Sequence, residues 1–333
     1  MPTFYVSDEI HPDVLAELNT LGQVHLGYGQ DAVRYEDVRT DIDAVLLRAE
    51  RFDREKIEAS PRLRIIARHG VGTDNVDIEA ATDAGTWVTT TPGSNSRAVA
   101  EHVFALLLSL ARKVPYGTAQ TTAGQWAAAK PHMNGFELHG RTLGLLGFGN
   151  IARMVAAIAQ GFGMDVLVHD PFVHDSAIQA AGAAPATLDQ VIASSDVLSL
   201  HMPLTDQTAQ IIDADALARM KPGSVLINTS RGGLIDEQAL AQALQNGHLG
   251  GAGLDVLEGE SVDMKDPIAH SKIQIADVPN LIVTPHVAGQ SEEAFLAAGT
   301  GALQAIQQAL AGQRPDHAVN NITVDNIAAP APA

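Results

Sequence analysis

The chain has 333 residues, room for about two domains, and 46% of them are hydrophobic, enough to bury a core in each. Asp and Glu number 39 against 21 Lys and Arg, and a formal net charge of −18 excludes the cationic footprint that nucleic acid requires. With no cysteine, a disulfide framework, a thiolate metal site and a cysteine nucleophile are excluded as well.

Met1–Asp8 has no basic end followed by an apolar stretch, so it reads as the approach to a strand and not as a secretory leader. No run approaches the ~20 apolar residues that cross a bilayer. A cytoplasmic protein with no membrane partner is the expectation. Thr3–Val6, Val45–Leu47, Leu63–Ala67 and Trp87–Thr90 are β-rich runs, with helical patterns at Pro12–Leu21 and Arg54–Ala59 between them. Strands separated by helices predict a parallel α/β layer. Ser96–Arg112 follows, with Val99, Val103, Leu106, Leu107 and Leu110 at helical spacing and Ser94, Asn95 and Ser96 as capping candidates. Residues 113–140, broken by Pro115, Gly117, Gly124, Pro131 and Gly135, read as an excursion.

A second alternating series begins at Thr142. Its expected strands are Thr142–Leu146, Val166–Val168, Val197–Leu200, Ser224–Ile227, Ala252–Leu254 and Leu281–Val283, with helices at Ile151–Phe162 and Glu237–Asn246. Six such strands suit a doubly wound dinucleotide-binding sheet. After Pro285 come a helix, Glu292–Leu310, and a Pro/Ala tail over residues 328–333 that is expected to be disordered.

The run from Leu145 to Ala152 is a G-x-G-x-x-A turn between a strand and a helix. Gly147 permits the tight turn, Gly149 lets backbone approach a pyrophosphate, and Ala152 is small where helix meets strand. Asn150 and Ile151 open the helix, whose free N–H groups attract phosphate. The next strand ends at Asp170, which can accept from ribose hydroxyls and repel a 2′-phosphate. Pro171–Asp175 holds no Arg or Lys to offset that repulsion, so NAD is expected over NADP. Asp170 could otherwise be a solvated turn residue ahead of Pro171.

Three chemical groups follow three successive strands: Arg231, Glu260 and His286. Open α/β sheets bind ligands beyond those carboxyl ends. Oxidising a 2-hydroxy acid needs a base for the hydroxyl proton, and an imidazole suits that near neutral pH. A carboxylate beside it orients the ring and favours the imidazolium. A guanidinium can grip the substrate carboxylate by its planar fork and polarise the C2 oxygen. Singly, each residue has an ordinary structural reading; their coincidence below a nucleotide fingerprint carries the chemistry.

At these residues the sequence resembles the D-isomer-specific 2-hydroxyacid dehydrogenases, over nearly the whole chain. Four stretches carry the likeness: Arg68–Asp77, Thr91–Glu101, Asn228–Asp236 and Thr284–Gly289. It implies two Rossmann-like doubly wound α/β domains. One is a NAD-binding domain over 98–286. The other is a split, flavodoxin-like substrate domain made of 1–97 and 287–333. It also implies a homodimer, with residues 113–140 in the subunit contact. Carried over by position, Arg231, Glu260 and His286 are the catalytic trio. Gly147, Gly149, Asn150, Ile151, Asp170, Met202, Pro203, Thr229, Ser230, Asp255 and Gly289 hold the NAD cofactor, and no metal is implied. The backbone at Val71 and Gly72 holds the substrate carboxylate, where Arg231 also acts. The family usually has Pro after the catalytic Glu, whereas Ser261 stands here and 261–277 departs from the pattern, leaving Glu258 as a rival to Glu260.

Arg48 and Arg68 occupy positions resembling those that grip the distal phosphate in phosphoglycerate dehydrogenases, though both could equally make surface ion pairs. Phosphoglycerate, sulfolactate, hydroxypyruvate and glyoxylate stay open as the small anionic substrate. A non-catalytic NAD(H)-responsive binding protein is the alternative class, since corepressors share the fold.

Overall fold

The structure is a computed structural model that describes residues 1–263, 266–278 and 280–322. The expected Pro/Ala tail, residues 328–333, lies outside the described residues. The chain divides into two units: Met1–Asn95 with the chain from Gln290 onward, and Ser96–Gly289.

Among its described residues the first unit holds five strands: β1 (Thr3–Val6), β2 (Gln23–Leu26), β3 (Ala44–Leu47), β4 (Ile65–Arg68) and β5 (Trp87–Thr89). They form one sheet in the order β2-β1-β3-β4-β5, parallel throughout. Alternate side chains serve opposite faces. Phe4, Val6, Leu46 and Ile65 pack with the helices Pro12–Leu21 and Glu292–Leu310, through Val14, Leu18, Leu303 and Ile306. Tyr5, Val45, Leu47 and Ile66 pack on the other face with Tyr35, Phe52, Ile57 and Ala80. Burial on both faces is why these runs are apolar without alternation. Bounds elsewhere shift by a residue, the short helices Tyr35–Val38 and Ile78–Asp83 were not expected, and two further differences have a visible cause. The strand expected over Leu63–Ala67 starts at Ile65, because Leu63 closes a turn by donating its N–H to the Ser60 carbonyl, and it runs on through Arg68. The edge strand β2 was not expected, its sequence Gln-Val-His-Leu being half polar and none of its residues fully buried.

Among its described residues the second unit holds seven strands: β6 (Thr142–Leu146), β7 (Asp165–His169), β8 (Ala184–Pro185), β9 (Val197–Leu200), β10 (Val225–Asn228), β11 (Gly251–Leu254) and β12 (Leu281–Val283). Their order is β12-β11-β10-β9-β6-β7-β8, again parallel throughout. The direction of winding reverses between β6 and β9, the switch point at which doubly wound sheets take nucleotides. The seventh strand, missing from the six expected, is two residues long and ends in Pro185. Lacking an N–H, proline is confined to an edge. The helix Ser96–Ala111 buries Val99, Val103, Leu106 and Leu107 and shares one core with the helix Asn150–Gly161. Residues 113–140, expected as an excursion, contain helices Val114–Thr122 and Trp126–Ala129 and a 3-10 turn at Lys130–His132. Ala129 is the one side chain these three bury, so no apolar stripe marked them in the sequence. No helix among the described residues is long and apolar enough to cross a membrane.

Candidate active site

At the switch point β6 gives way to Gly147, whose φ of +94° favours glycine. A Cβ there would lie 2.5 Å from the carbonyl oxygen of His201, so the turn depends on its absence. Gly149 is the cap of the helix Asn150–Gly161 and supplies no side-chain hydrogen bond; a Cβ on it would meet open space. The helix therefore presents its first N–H groups uncapped by a side chain, with Ile151 half-buried and Ala152 fully buried behind them. Asp170 follows β7 and does more than its position suggested. Its Oδ2 accepts from the Phe148 N–H at 2.7 Å and its Oδ1 from the Phe172 N–H at 2.8 Å, fixing the carboxylate against the glycine turn. It also lines a cavity of about 860 Å³ with Pro171, His174, Thr187 and Gln190.

Beyond β9 come His201, half-buried Met202 and exposed Pro203. His201 keeps some surface, but its Nε2 meets Ser199 Oγ at 2.9 Å and its Nδ1 is shielded without a hydrogen-bond partner. Desolvation pushes this ring down to about 4, so it is neutral at pH 7. Beyond β10, the Thr229 hydroxyl is likewise buried without a partner among the described residues, while Ser230 Oγ donates to the Leu200 carbonyl at 2.7 Å. A glycine cradle, an uncapped helix start, a carboxylate at the next strand end and an orphaned hydroxyl together fit a dinucleotide.

The Asn228 side chain shapes the turn that carries Arg231, accepting from the Ser230 N–H and donating to the Arg231 carbonyl, both at 2.9 Å. Arg231 Nη1 in turn donates to the Ser230 carbonyl at 2.8 Å. Gly232 is packed so tightly that a Cβ would fall 2.0 Å from the carbonyl carbon of Leu257. The Arg231 turn thus rests directly on the segment that leads to Glu260, one strand over.

Glu260 lies in a 3-10 turn, Glu258–Ser261. Its Oε1 accepts from the Leu257 N–H at 2.9 Å, and its Oε2 is 2.7 Å from His286 Nδ1. The carboxylate is 13% exposed and the imidazole 44%. Glu258, the rival, is turned to Lys272, whose Nζ donates to its Oε1 at 2.9 Å. With Nδ1 committed to a carboxylate, Nε2 is the nitrogen left for proton exchange.

His286 has a φ of +53°, left-handed for a residue with a Cβ. Asp255 holds it there. This carboxylate, 1% exposed, accepts from Thr284 Oγ1 at 2.5 Å and from the Val287 and Ala288 N–H groups at 2.9 and 2.7 Å. Asp255 was expected to line the cofactor; its visible work is to shape the histidine turn that runs on to Gly289. Sequence reasoning missed Glu237 altogether. Fully buried, it accepts from the Glu258 N–H, Ser271 Oγ and the Lys272 N–H, tying down the segment that carries Glu260. Its signal was faint, an acid next to the cap residue Asp236 of the helix Glu237–Gln245.

In the first unit the two arginines have different fates. Arg68 is committed to backbone: Nε donates to the Gly72 carbonyl at 2.7 Å and Nη1 to the Leu47 and Arg48 carbonyls. The expectation set both guanidiniums on one anion; here Arg68 stitches the end of β3 to the Val71–Gly72 loop. Val71 at the tip of this loop is exposed. Arg48 instead lies with its guanidinium 4.8 Å from the centroid of the Phe295 ring.

Residues 104–288 match the family model described as D-isomer specific 2-hydroxyacid dehydrogenase, NAD binding domain. The chain is 37% identical over 96% of its length to a D-3-phosphoglycerate dehydrogenase of Mycobacterium bovis, and spans 59% of that relative. It is 44% identical to an (S)-sulfolactate dehydrogenase of Chromohalobacter salexigens, over 73% of this chain and 76% of the relative. Among solved structures, the TT0316 protein of Thermus thermophilus matches with a TM-score of 0.84 and 33% identity, covering 96% of this chain and all of the other. The chain belongs to the D-isomer specific 2-hydroxyacid dehydrogenase family, and its second unit carries that family's NAD-binding domain.

Proposed function

We propose that the protein is a cytoplasmic NAD-dependent oxidoreductase that moves a hydride between NAD(H) and C2 of a small D-2-hydroxy acid or its 2-keto acid. The observation that carries this reading is the 2.7 Å pair of His286 Nδ1 and Glu260 Oε2 at a strand end beside the one that bears Arg231. Gly147, Gly149, Asn150, Ile151 and Asp170 would hold NAD, which when bound would supply the hydride acceptor for C2, or as NADH the donor. Arg231 grips the substrate carboxylate and polarises the C2 oxygen. His286 Nε2 takes the hydroxyl proton as the C2–O double bond forms, and gives it back in reduction. Glu260 stabilises the imidazolium that results and holds the ring in place. The backbone at Val71 and Gly72 supplies N–H groups for the carboxylate. Asp170 selects NAD over NADP by repelling a 2′-phosphate.

The substrate carries a second anion, received by Arg48, as a phosphorylated or sulfonated three-carbon acid would. The protein works as a homodimer, joined through residues 113–140. Trp126, 71% exposed, with Tyr116 and Val114 on the same segment, gives that contact its apolar anchors. The test is a panel of 2-keto acids with NADH, followed by the same panel with His286→Ala. Turnover by the wild type that drops ~10²–10⁴-fold in the variant is expected. Binding of NADH with no turnover of any 2-keto acid would leave a nucleotide-responsive binding protein instead.

A further inference from the structure

Arg48 is an anomaly on so acidic a chain. Its guanidinium makes no hydrogen bond or ion pair with any described residue, although Glu50 stands two residues on and Asp8 bonds the next backbone N–H. Those acids are spent elsewhere. Asp8 Oδ2 accepts from Ser7 Oγ at 2.6 Å and from the Ala49 N–H at 2.9 Å, and Glu50 takes Lys56 Nζ and the Tyr5 hydroxyl. The backbone of Arg48 is fastened on both sides: its N–H donates to Ser7 Oγ at 2.9 Å, and its carbonyl accepts from Arg68 and Asn75. What the guanidinium does meet is the ring of Phe295, in the first turn of the helix Glu292–Leu310. That ring is clamped in its turn. His69 packs edge-on against it at 4.9 Å between centroids, and His69 Nε2 lies 3.1 Å from the Phe295 carbonyl.

We propose that Phe295 is a specificity-determining positioning residue: its ring is the platform that holds Arg48 extended, away from acidic neighbours, so that the planar guanidinium receives a tetrahedral oxyanion at the far end of the substrate. Stacking on a ring orients a guanidinium without consuming its N–H donors, whereas a salt bridge would consume them. His69, buried and pushed down to about 4, is neutral and sets no rival charge beside Arg48. The inference rests on the proposed dehydrogenase reading and on its second-anion substrate.

The experiment compares kcat/KM for 3-phosphohydroxypyruvate and sulfopyruvate with that for hydroxypyruvate and pyruvate, in the wild type, Arg48→Ala, Phe295→Leu and Phe295→Tyr. Phe295→Leu is expected to cut the preference for the second anion about 5-fold, through KM for the dianions, with kcat on pyruvate unchanged. Phe295→Tyr, which restores the ring, is expected to restore the preference. A wild type that favours the neutral acids overturns the second-anion reading and the platform with it. A wild type that favours the dianions, with Phe295→Leu leaving the ratio within about twofold or lowering all four substrates alike, overturns the platform alone.

Discussion

The carboxyl rims of the two sheets handle charge in opposite ways. In the second unit each functional group is braced by groups brought from elsewhere on the same rim: Glu260 braces His286, Asp255 braces the histidine turn, and Glu237 braces the Glu260 segment. In the first unit a charged side chain does the bracing. Arg68 donates to the carbonyls of Leu47, Arg48 and Gly72, while Arg48 is held by a ring. The proton transfer proposed for the second rim needs its base fixed to within a fraction of an ångström, and charge-assisted hydrogen bonds supply that. A rim that only receives an anion needs a cation whose donors stay open.

The most damaging way to break the first half of that comparison is Gly232→Ala. The added methyl has nowhere to go but into the Leu257 backbone, so the Arg231 turn and the Glu260 turn must part. A displacement of ~1 Å at a catalytic group can cost ~10²-fold, and kcat/KM is expected to fall by about that much while the circular dichroism keeps its α/β form. Activity near that of the wild type would mean that the two turns move independently.

The second half is sharpened by pairing Arg68→Ala with Arg48→Ala. Removing Arg68 strips donors from the Leu47, Arg48 and Gly72 carbonyls, and urea denaturation is expected to register a loss of about 1–3 kcal/mol. Arg48→Ala deletes no hydrogen bond to a described residue and is expected to stay within about 0.5 kcal/mol of the wild type. Equal losses would erase the distinction between the brace and the receiver.

The smallest effect compares one buried imidazole in each unit. His69 and His201 are both depressed from 6.5 to about 4 by burial. The folded value lies below the unfolded one, so the stability these neutral rings lend is full above pH 6.5 and is lost as pH falls towards 4. His69→Gln and His201→Gln are each expected to flatten the acid limb, by about 2 kcal/mol between pH 7 and pH 5. A variant whose loss between those two pH values matches the wild type would mark its ring as accessible to protons in the folded state.

Much of this was legible because its causes are local. Runs such as Ala44–Leu47 and Val197–Leu200 are strands because parallel sheets bury both faces, and the Gly147–Gly149 turn with Asp170 one strand later has no cheaper explanation. What could not be read depends on partners far apart in the chain. Glu258 and Glu260 are two residues apart after one strand, and only the 3-10 turn decides which meets His286 and which meets Lys272. Arg48 and Arg68 both lie at strand ends, and nothing local says that the carbonyls of β3 and of the Gly72 loop claim one and leave the other. Phe295 was unremarkable in a helix of apolar residues until the chain folded back to set it under Arg48.

The Asp255 carboxylate has a consequence in time as well as in space. His286 stands well exposed, on a turn of left-handed backbone that an unsupported loop would abandon readily. Yet its neighbours Val287 and Ala288 give their amide protons to a carboxylate that solvent scarcely touches, with Thr284 donating to the same group. Loosening that turn separates three donors from one buried charge together, a cooperative event closer in cost to opening the strands beneath it than to fraying a surface loop. Deuterium should therefore enter those two amides at the slow pace of the β11 and β12 backbone.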